Sequence, residues 1–449
     1  MGGYITGTLV SCSTEGTLAV ITVTQDVCLL GSNSAWSCHR GSSEQFTAHE
    51  KTIYPLWYSW LVHGTGERTF IHAEPKSATF WNRYQALPPL GKEDIDLGMA
   101  TTYTPSEAKR TRLNKLSTSN GVIGALAIDQ RRSLRRLIAD AAGVSFEQIS
   151  DDQLVAFKEA IAEVLSPHAT AILLETDYGL PGAARRGAGC GLLLAYELDG
   201  YENPRPHRML ALMPQLSIQR LADLGAEGIK ILLHYSPDDP PQVNDEKFAL
   251  IERIGSECVA LDLPFFLEPL LYEPAYPLIQ PGLSAEEKRD QAFTFAQRKP
   301  QIVVDMMREF SRDRYRVDIL KVEFPVVAAF VEGSATFCGR AAYSLEEALA
   351  WYRAADEAAG RPYIYLSAGV SSAEFLESIR MAVAAHTRFS GVLCGRATWQ
   401  EGVPAFVAGG KEGFRRWLED EGVANIDALN ALIAGATPWH RFGQTGQAG

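Results

Sequence analysis

The sequence predicts an α/β chain folded as a (β/α)8 TIM barrel behind an irregular N-terminal extension, and three observations carry that expectation. From Gly121 onward, short apolar runs alternate with longer amphipathic stretches. Eight such runs follow one another, the number that closes a parallel barrel. Their ionisable residues fall near the C-terminal ends, where barrel enzymes collect their chemistry.

Residues 1 to 110 stand apart. Thr, Ser and Gly are frequent there, charges are few before Arg40, and no helical period persists. Strand-like composition, as in Thr17 to Leu30, is interrupted by turn residues. Met99 is the first methionine after Met1, so two accounts of this extension stand open: a poorly ordered segment, or a gene-model artefact upstream of the natural start. The polar stretch Pro88 to Leu116, with Lys109, Arg110, Arg112 and Lys115, reads as a linker into the first regular element. Residues 111 to 449 are then the barrel and a C-terminal helical tail.

The expected strands are Val122 to Asp129, Ala171 to Glu175, Gly191 to Glu197, Gly228 to Tyr235, Pro264 to Leu271, Asp318 to Phe324, Tyr363 to Ser367 and Gly391 to Gly395. Helical stretches are expected at Asp151 to Leu165, Leu216 to Leu224, Asp245 to Leu261, Leu345 to Ala359 and Ala373 to Ala385. Pattern alone does not show closure, and an open doubly wound sheet fits the same runs.

Barrel strands meet helices outside and other side chains inside, so a charge within one needs a reason. In Ile319-Leu320-Lys321-Val322-Glu323-Phe324, two-residue alternation puts Leu320, Val322 and Phe324 on one face and Ile319, Lys321 and Glu323 on the other. The apolar face must meet helices, which points Lys321 and Glu323 into the barrel. The same alternation groups Lys230 with Leu232 and His234, and Glu268 with Phe266, while Asp129 and Glu175 end the first two strands. Two lysines and several carboxylates then converge at one mouth. The competing structural account is a neutralising Lys321 to Glu323 pair.

Composition removes several function classes. A formal charge of −12 opposes non-specific binding to nucleic acid or an anionic membrane. No run of about 18 apolar residues is present to span a bilayer, and no basic residue precedes Arg40 as a signal peptide requires. The seven cysteines are scattered without a CxxC, as expected of reduced thiols in a soluble cytoplasmic protein. The nine histidines form no HxH or HExxH pair, so neither a metal nor another cofactor is expected. His234, the one histidine on an inward strand position, is expected as a hydrogen-bonded core or rim residue.

Loops after the seventh and eighth strands of TIM barrels frequently hold a phosphate through backbone N–H groups. Here they read Ser367-Ala368-Gly369-Val370 and Gly395-Arg396-Ala397-Thr398, small residues plus a guanidinium able to make a bidentate contact.

At these residues the chain resembles the tagatose 1,6-bisphosphate aldolase family, class I enzymes on a (β/α)8 fold. The likeness runs from about Gly121 to about Leu432. It rests on Ala125-Leu126-Ala127-Ile128-Asp129-Gln130-Arg131, Glu252 to Cys258, Phe265-Phe266-Leu267-Glu268, Asp318 to Glu323, Pro362 to Val370 and Gly391 to Trp399. The resemblance implies a Schiff-base lysine at Lys321, an acid/base carboxylate at Glu268 and an assisting lysine at Lys230. It further implies substrate contacts at Asp129, Gln130 and Arg131, the last toward a second phosphate, and phosphate contacts at Ser367, Gly369, Gly395 and Arg396. A homodimer and a role in lactose and galactose catabolism are implied as well. The chain departs from the family at Glu175-Thr176-Asp177-Tyr178-Gly179, where Asp-Pro-Glu-Tyr-Gly is usual, and in a longer Glu273 to Arg298 region.

The implied reaction is cleavage of tagatose 1,6-bisphosphate, or another ketose 1,6-bisphosphate, to dihydroxyacetone phosphate and glyceraldehyde 3-phosphate. It asks for a neutral Lys321, whose pKa must fall from about 10.4 in a dry site beside a second cation. Two alternatives stay open at this point: an aldolase for a sulfonated ketose phosphate, and an inactive barrel that binds sugar phosphates as a regulator.

Overall fold

The computed structural model describes residues 104–198, 206–274 and 283–443, together with the backbone of six short strands in the first hundred residues. The chain divides into two units, Met1–Ala100 and Thr101–Gly449. The expectations for residues 1 to 103 otherwise lie outside the described residues.

In the second unit eight parallel strands close a barrel. They are β1 (Ile123–Ala127), β2 (Ala171–Leu174), β3 (Gly191–Ala195), β4 (Gly228–Tyr235), β5 (Phe265–Leu271), β6 (Ile319–Val322), β7 (Tyr363–Leu366) and β8 (Gly391–Cys394). Each pairs with its sequence neighbours, and β8 pairs with β1 through Gly391 and Ile123, so the sheet is closed and not an open doubly wound one. Every expected strand is present, most of them shorter at the C-terminal end because pairing stops before the mouth loops begin.

Alternation sorts the side chains as a barrel requires. Leu126, Ile172, Leu194, Ile231, Leu267, Leu320, Tyr365 and Val392 join the layer between strands and helices. Ile123, Ala125, Ala171, Leu193, Phe266, Ile319, Ile364 and Leu393 fill the interior. The two sets are kept apart by the pleat alone.

The outer helices are set by ordinary end signals. Ser150 and Gln153 form a capping box at Asp151–Leu165, Ser284 and Glu287 at Ala285–Phe310, and Ser344 and Glu347 at Leu345–Ala358. The stretch expected as a linker contains a helix, Glu107–Lys115, capped by Ser106. It seals the N-terminal floor of the barrel, where Leu113, Leu116 and Trp439 pack under the interior side chains. Lys109 from this helix is buried against Asp318 at 2.6 Å, and Asp318 also accepts the Phe265 N–H at 2.8 Å. The long Glu273 to Arg298 region is in good part the first half of helix Ala285–Phe310, tied to the mouth by Arg298 to Glu273 (3.0 Å) and Asp238 (2.6 Å).

Candidate active site

β6 has only four residues, and its pleat places Lys321 inward beside Ile319, with Leu320 and Val322 in the outer layer. On β5, Phe265 and Leu267 face out, which turns Phe266 and then Glu268 in. On β4, Ile229, Ile231 and Leu233 face out, so Lys230, Leu232 and His234 line the cavity. Register does the rest: Lys230 is level with Phe266 and Leu232 with Glu268, so the lysine lies one layer deeper and reaches up to the carboxylate.

The Glu268 carboxylate sits between two ammonium groups, with Oε1 2.8 Å from Lys321 Nζ and Oε2 2.8 Å from Lys230 Nζ. Lys230 is wholly buried and meets two further carboxylates, Asp129 at 2.9 Å and Glu197 at 2.7 Å. Burial alone would lower the Lys230 pKa, but Asp129, Glu197 and Glu268 together hold it well above the ordinary lysine value. Burial likewise acts to raise the Asp129 carboxyl, and Lys230 with Lys321 override it, leaving Asp129 well below the usual carboxylate range.

Of the ten residues singled out in the sequence, nine line one cavity: Asp129, Gln130, Arg131, Lys230, Glu268, Lys321, Ser367, Gly395 and Arg396. Gly369 adjoins it, because a Cβ there would fall 2.4 Å from Arg396 Cζ. Gly369 has φ +82, and Gly395 presses so close to β1 that a Cβ would lie 2.7 Å from the Ala127 carbonyl oxygen. The Trp399 indole N–H donates to that same carbonyl at 3.0 Å. These glycines let the β7 and β8 loops crowd around Arg396.

Three expectations change. Glu323 lies past the end of β6 and pairs with Lys299 of helix Ala285–Phe310 at 3.2 Å, while its Oε2 accepts the Leu271 N–H at 2.8 Å. The Lys321 to Glu323 pair is therefore replaced by Lys321 to Glu268. Glu175 also leaves the mouth, meeting buried Lys158 at 2.6 Å and accepting the N–H groups of Asp177 and Tyr178. Arg131 reaches the cavity wall, but its Nη2 donates to the Glu197 carbonyl at 2.7 Å and its Nη1 meets Asp177 at 3.2 Å. It ties the β1, β2 and β3 loops together while lining the cavity. His234 stands edge-on to Tyr272, centroids 6.2 Å apart, as a rim residue with no hydrogen-bond partner among the described residues.

Glu197 and Arg208 line the cavity and were not singled out. Glu197 carries a signal, since it continues the inward set Leu193 and Ala195 of β3 as Asp129 continues that of β1. Arg208 has none, lying eleven residues further on in an irregular stretch.

A family model described as DeoC/LacD family aldolase matches residues 123–401, more than half of the chain. The chain belongs to the DeoC/LacD aldolase family. It is similar to tagatose 1,6-diphosphate aldolase 2 of Enterococcus faecalis, 44% identical over 75% of this chain and 97% of that protein. It is similar, too, to the tagatose 1,6-diphosphate aldolases of Listeria monocytogenes (40% identical, 74% and 94% covered) and Staphylococcus epidermidis (43% identical, 75% and 99% covered). A solved archaeal fructose 1,6-bisphosphate aldolase superposes with a TM-score of 0.41 and 14% identity, over 73% of this chain and 100% of that one. Among the described residues of this DeoC/LacD chain, no helix is long and apolar enough to cross a membrane.

Proposed function

We propose that this chain is a class I aldolase that cleaves tagatose 1,6-bisphosphate to dihydroxyacetone phosphate and glyceraldehyde 3-phosphate through a Schiff base on Lys321. The observation that carries the reading is Lys321 itself: an inward lysine, 4% exposed, whose Nζ shares the Glu268 carboxylate with permanently charged Lys230. The names of the relatives support the sugar.

In this reading Glu268 takes a proton from the Lys321 ammonium, freeing the lone pair that attacks C2 of the ketose. The carbinolamine loses water to give an iminium. Glu268, having passed its proton to that water, then accepts the C4 hydroxyl proton as the C3–C4 bond breaks. The bonding pair moves to C3 and forms an enamine, and the aldehyde triose leaves. Protonation at C3 and hydrolysis release dihydroxyacetone phosphate and restore the amine. Lys230 stays charged throughout and steadies the anionic carboxylates around the reacting carbons. Ser367, Gly395 and Arg396 hold the phosphate on C1, and Asp129 and Gln130 hold hydroxyls, so that binding becomes orientation. Action in the cytoplasm as a homodimer completes the reading.

Borohydride reduction in the presence of dihydroxyacetone phosphate tests it, with peptide masses locating the adduct. A reduced triose on Lys321, absent from Lys321→Ala along with turnover, is the expected result. A protein that turns over substrate without any adduct on Lys321 would refute the mechanism.

A further inference from the structure

One wall of the cavity is a return of the chain after β3, in which Arg208 to Ala211 all line the space. The far end of this return is sewn to β3. Leu212 bridges Glu197 antiparallel, the Leu198 N–H donates to the Ala211 carbonyl at 2.8 Å, and the Met213 N–H donates to the Tyr196 carbonyl at 3.1 Å. The near end is held differently. There His207 and Arg208 both adopt left-handed backbone, φ 57 and 47. Histidine enters that region more readily than most side chains, but two such residues in succession persist only where their surroundings impose the conformation.

Asp239 supplies those surroundings from the loop between β4 and helix Pro241–Ala260. Its buried carboxylate takes partners from three elements: His207 Nδ1 of the return at 3.0 Å, the Tyr272 hydroxyl just past β5 at 2.6 Å, and Lys247 Nζ of the helix at 2.7 Å. The Tyr272 hydroxyl is also 2.9 Å from the His207 carbonyl oxygen, and the Tyr272 ring lies under the Arg208 guanidinium, 4.4 Å from centroid to Cζ. Lys247 is wholly buried, so the carboxylate is anchored from behind. His207, its side chain 38% exposed, is the link that reaches forward to the return.

We propose that Asp239 is a positioning residue for the reaction: through His207 and Tyr272 it fixes the Arg208 end of the return as a firm wall against the bound substrate. The proposal rests on the aldolase reading for its substrate. Lys321 and Glu268 are placed by β6 and β5, and the Leu212 end of the return by β3, so releasing the clamp loosens the wall and leaves the reacting groups where they are. Binding then suffers more than chemistry. A loss of this kind shows as a rise in KM with kcat little changed.

His207→Ala and His207→Asn in the full chain test it, because asparagine tolerates left-handed backbone and offers Asp239 an N–H donor, and alanine offers none. With tagatose 1,6-bisphosphate, His207→Ala is expected to raise KM about tenfold with kcat within about threefold, and His207→Asn to restore KM to within about threefold of the parent. The urea midpoint of His207→Ala should stay within about 0.3 M of the parent, whereas Asp239→Asn, which orphans Lys247, should show the same rise in KM and lose about 1 M. A KM within about twofold of the parent in His207→Ala, or an asparagine variant no better than the alanine one, would overturn the proposal. Amide exchange over residues 208 to 213, read by mass spectrometry, separates this from the reading it rests on: about tenfold faster exchange in His207→Ala than in the parent or His207→Asn is expected whatever the substrate. A parent chain that cleaves no tagatose 1,6-bisphosphate refutes the aldolase reading alone, while equal exchange in all three proteins overturns the clamp.

Discussion

Lys230 and Glu268 are joined at 2.8 Å on neighbouring strands, and the same lysine holds Asp129 and Glu197. Removing its charge leaves three carboxylates crowded in a dry barrel. Lys230→Met is expected to cost about 3–5 kcal/mol in urea unfolding at neutral pH, the usual consequence of orphaning buried charge. Turnover should fall by about 10²-fold or more. A loss under about 1 kcal/mol would mean that the carboxylates take up protons easily in its absence.

Burial, with Arg208, Lys247 and Lys230 nearby, pushes the His234 pKa down to about 3. An unfolded histidine titrates near 6.5, so below that pH the unfolded chain binds the proton first and stability falls as pH drops toward 3. Above about 6.5 the residue contributes no pH dependence. His234→Asn should therefore flatten the decline between pH 6.5 and 5, by about 1–2 kcal/mol at pH 5 relative to the parent. Parallel curves for the two proteins would contradict the neutral ring.

Lys158 and Glu175 are both buried at 2.6 Å, and Lys158 also donates to the Ile128 and Gln130 carbonyls on either side of Asp129. Lys158→Met should destabilise by about 3–5 kcal/mol and raise KM, because the β1 loop loses its tether. Lys158→Met with Glu175→Gln should recover part of the stability but not the KM. Additive losses in the double variant would show that the two side chains do not act as a pair.

Gly395→Ala sets a methyl against the Ala127 carbonyl, and Gly369→Ala sets one against the Arg396 guanidinium. Both are expected to reduce kcat/KM for a C1-phosphorylated ketose by about tenfold or more, since misplaced anchors cost orientation. Inorganic phosphate binding, followed by competition, should weaken in step. Unchanged phosphate affinity in both variants would remove these loops from the anion site.

The barrel strands are legible in the sequence because each is a short apolar run covered on both faces, with breaks in hydrophobicity only at its C-terminal end. Lys321, Glu268 and Lys230 are legible for the same reason: period-two alternation within a strand settles which way a side chain points. The rule stops where pairing stops. Glu175 and Glu323 each lie one residue past a strand end and are captured by lysines of outer helices, Lys158 and Lys299, which no local pattern announces. Helix Ala285–Phe310 is hidden by a polar first half and by Pro300 inside it. Arg131 and Arg208 take partners 46 or more positions away, Asp177 and Glu197 for one and Tyr272 for the other, and local pattern does not reach that far.

Strand β6 has a charge pair near each end, Lys109 to Asp318 below and Lys321 to Glu268 above. Between them lie interior apolar side chains, Ile319, Phe266, Ile364 and Leu393 among them, with Leu113, Leu116 and Trp439 beneath. That layer keeps the two pairs apart. The floor pair can neutralise and anchor apart from the lysine above, whose partner at 2.8 Å is Glu268. A barrel sealed on one side thus keeps its anchoring charges and its mouth charges on opposite sides of one apolar layer, so that a change at either can be made without disturbing the other.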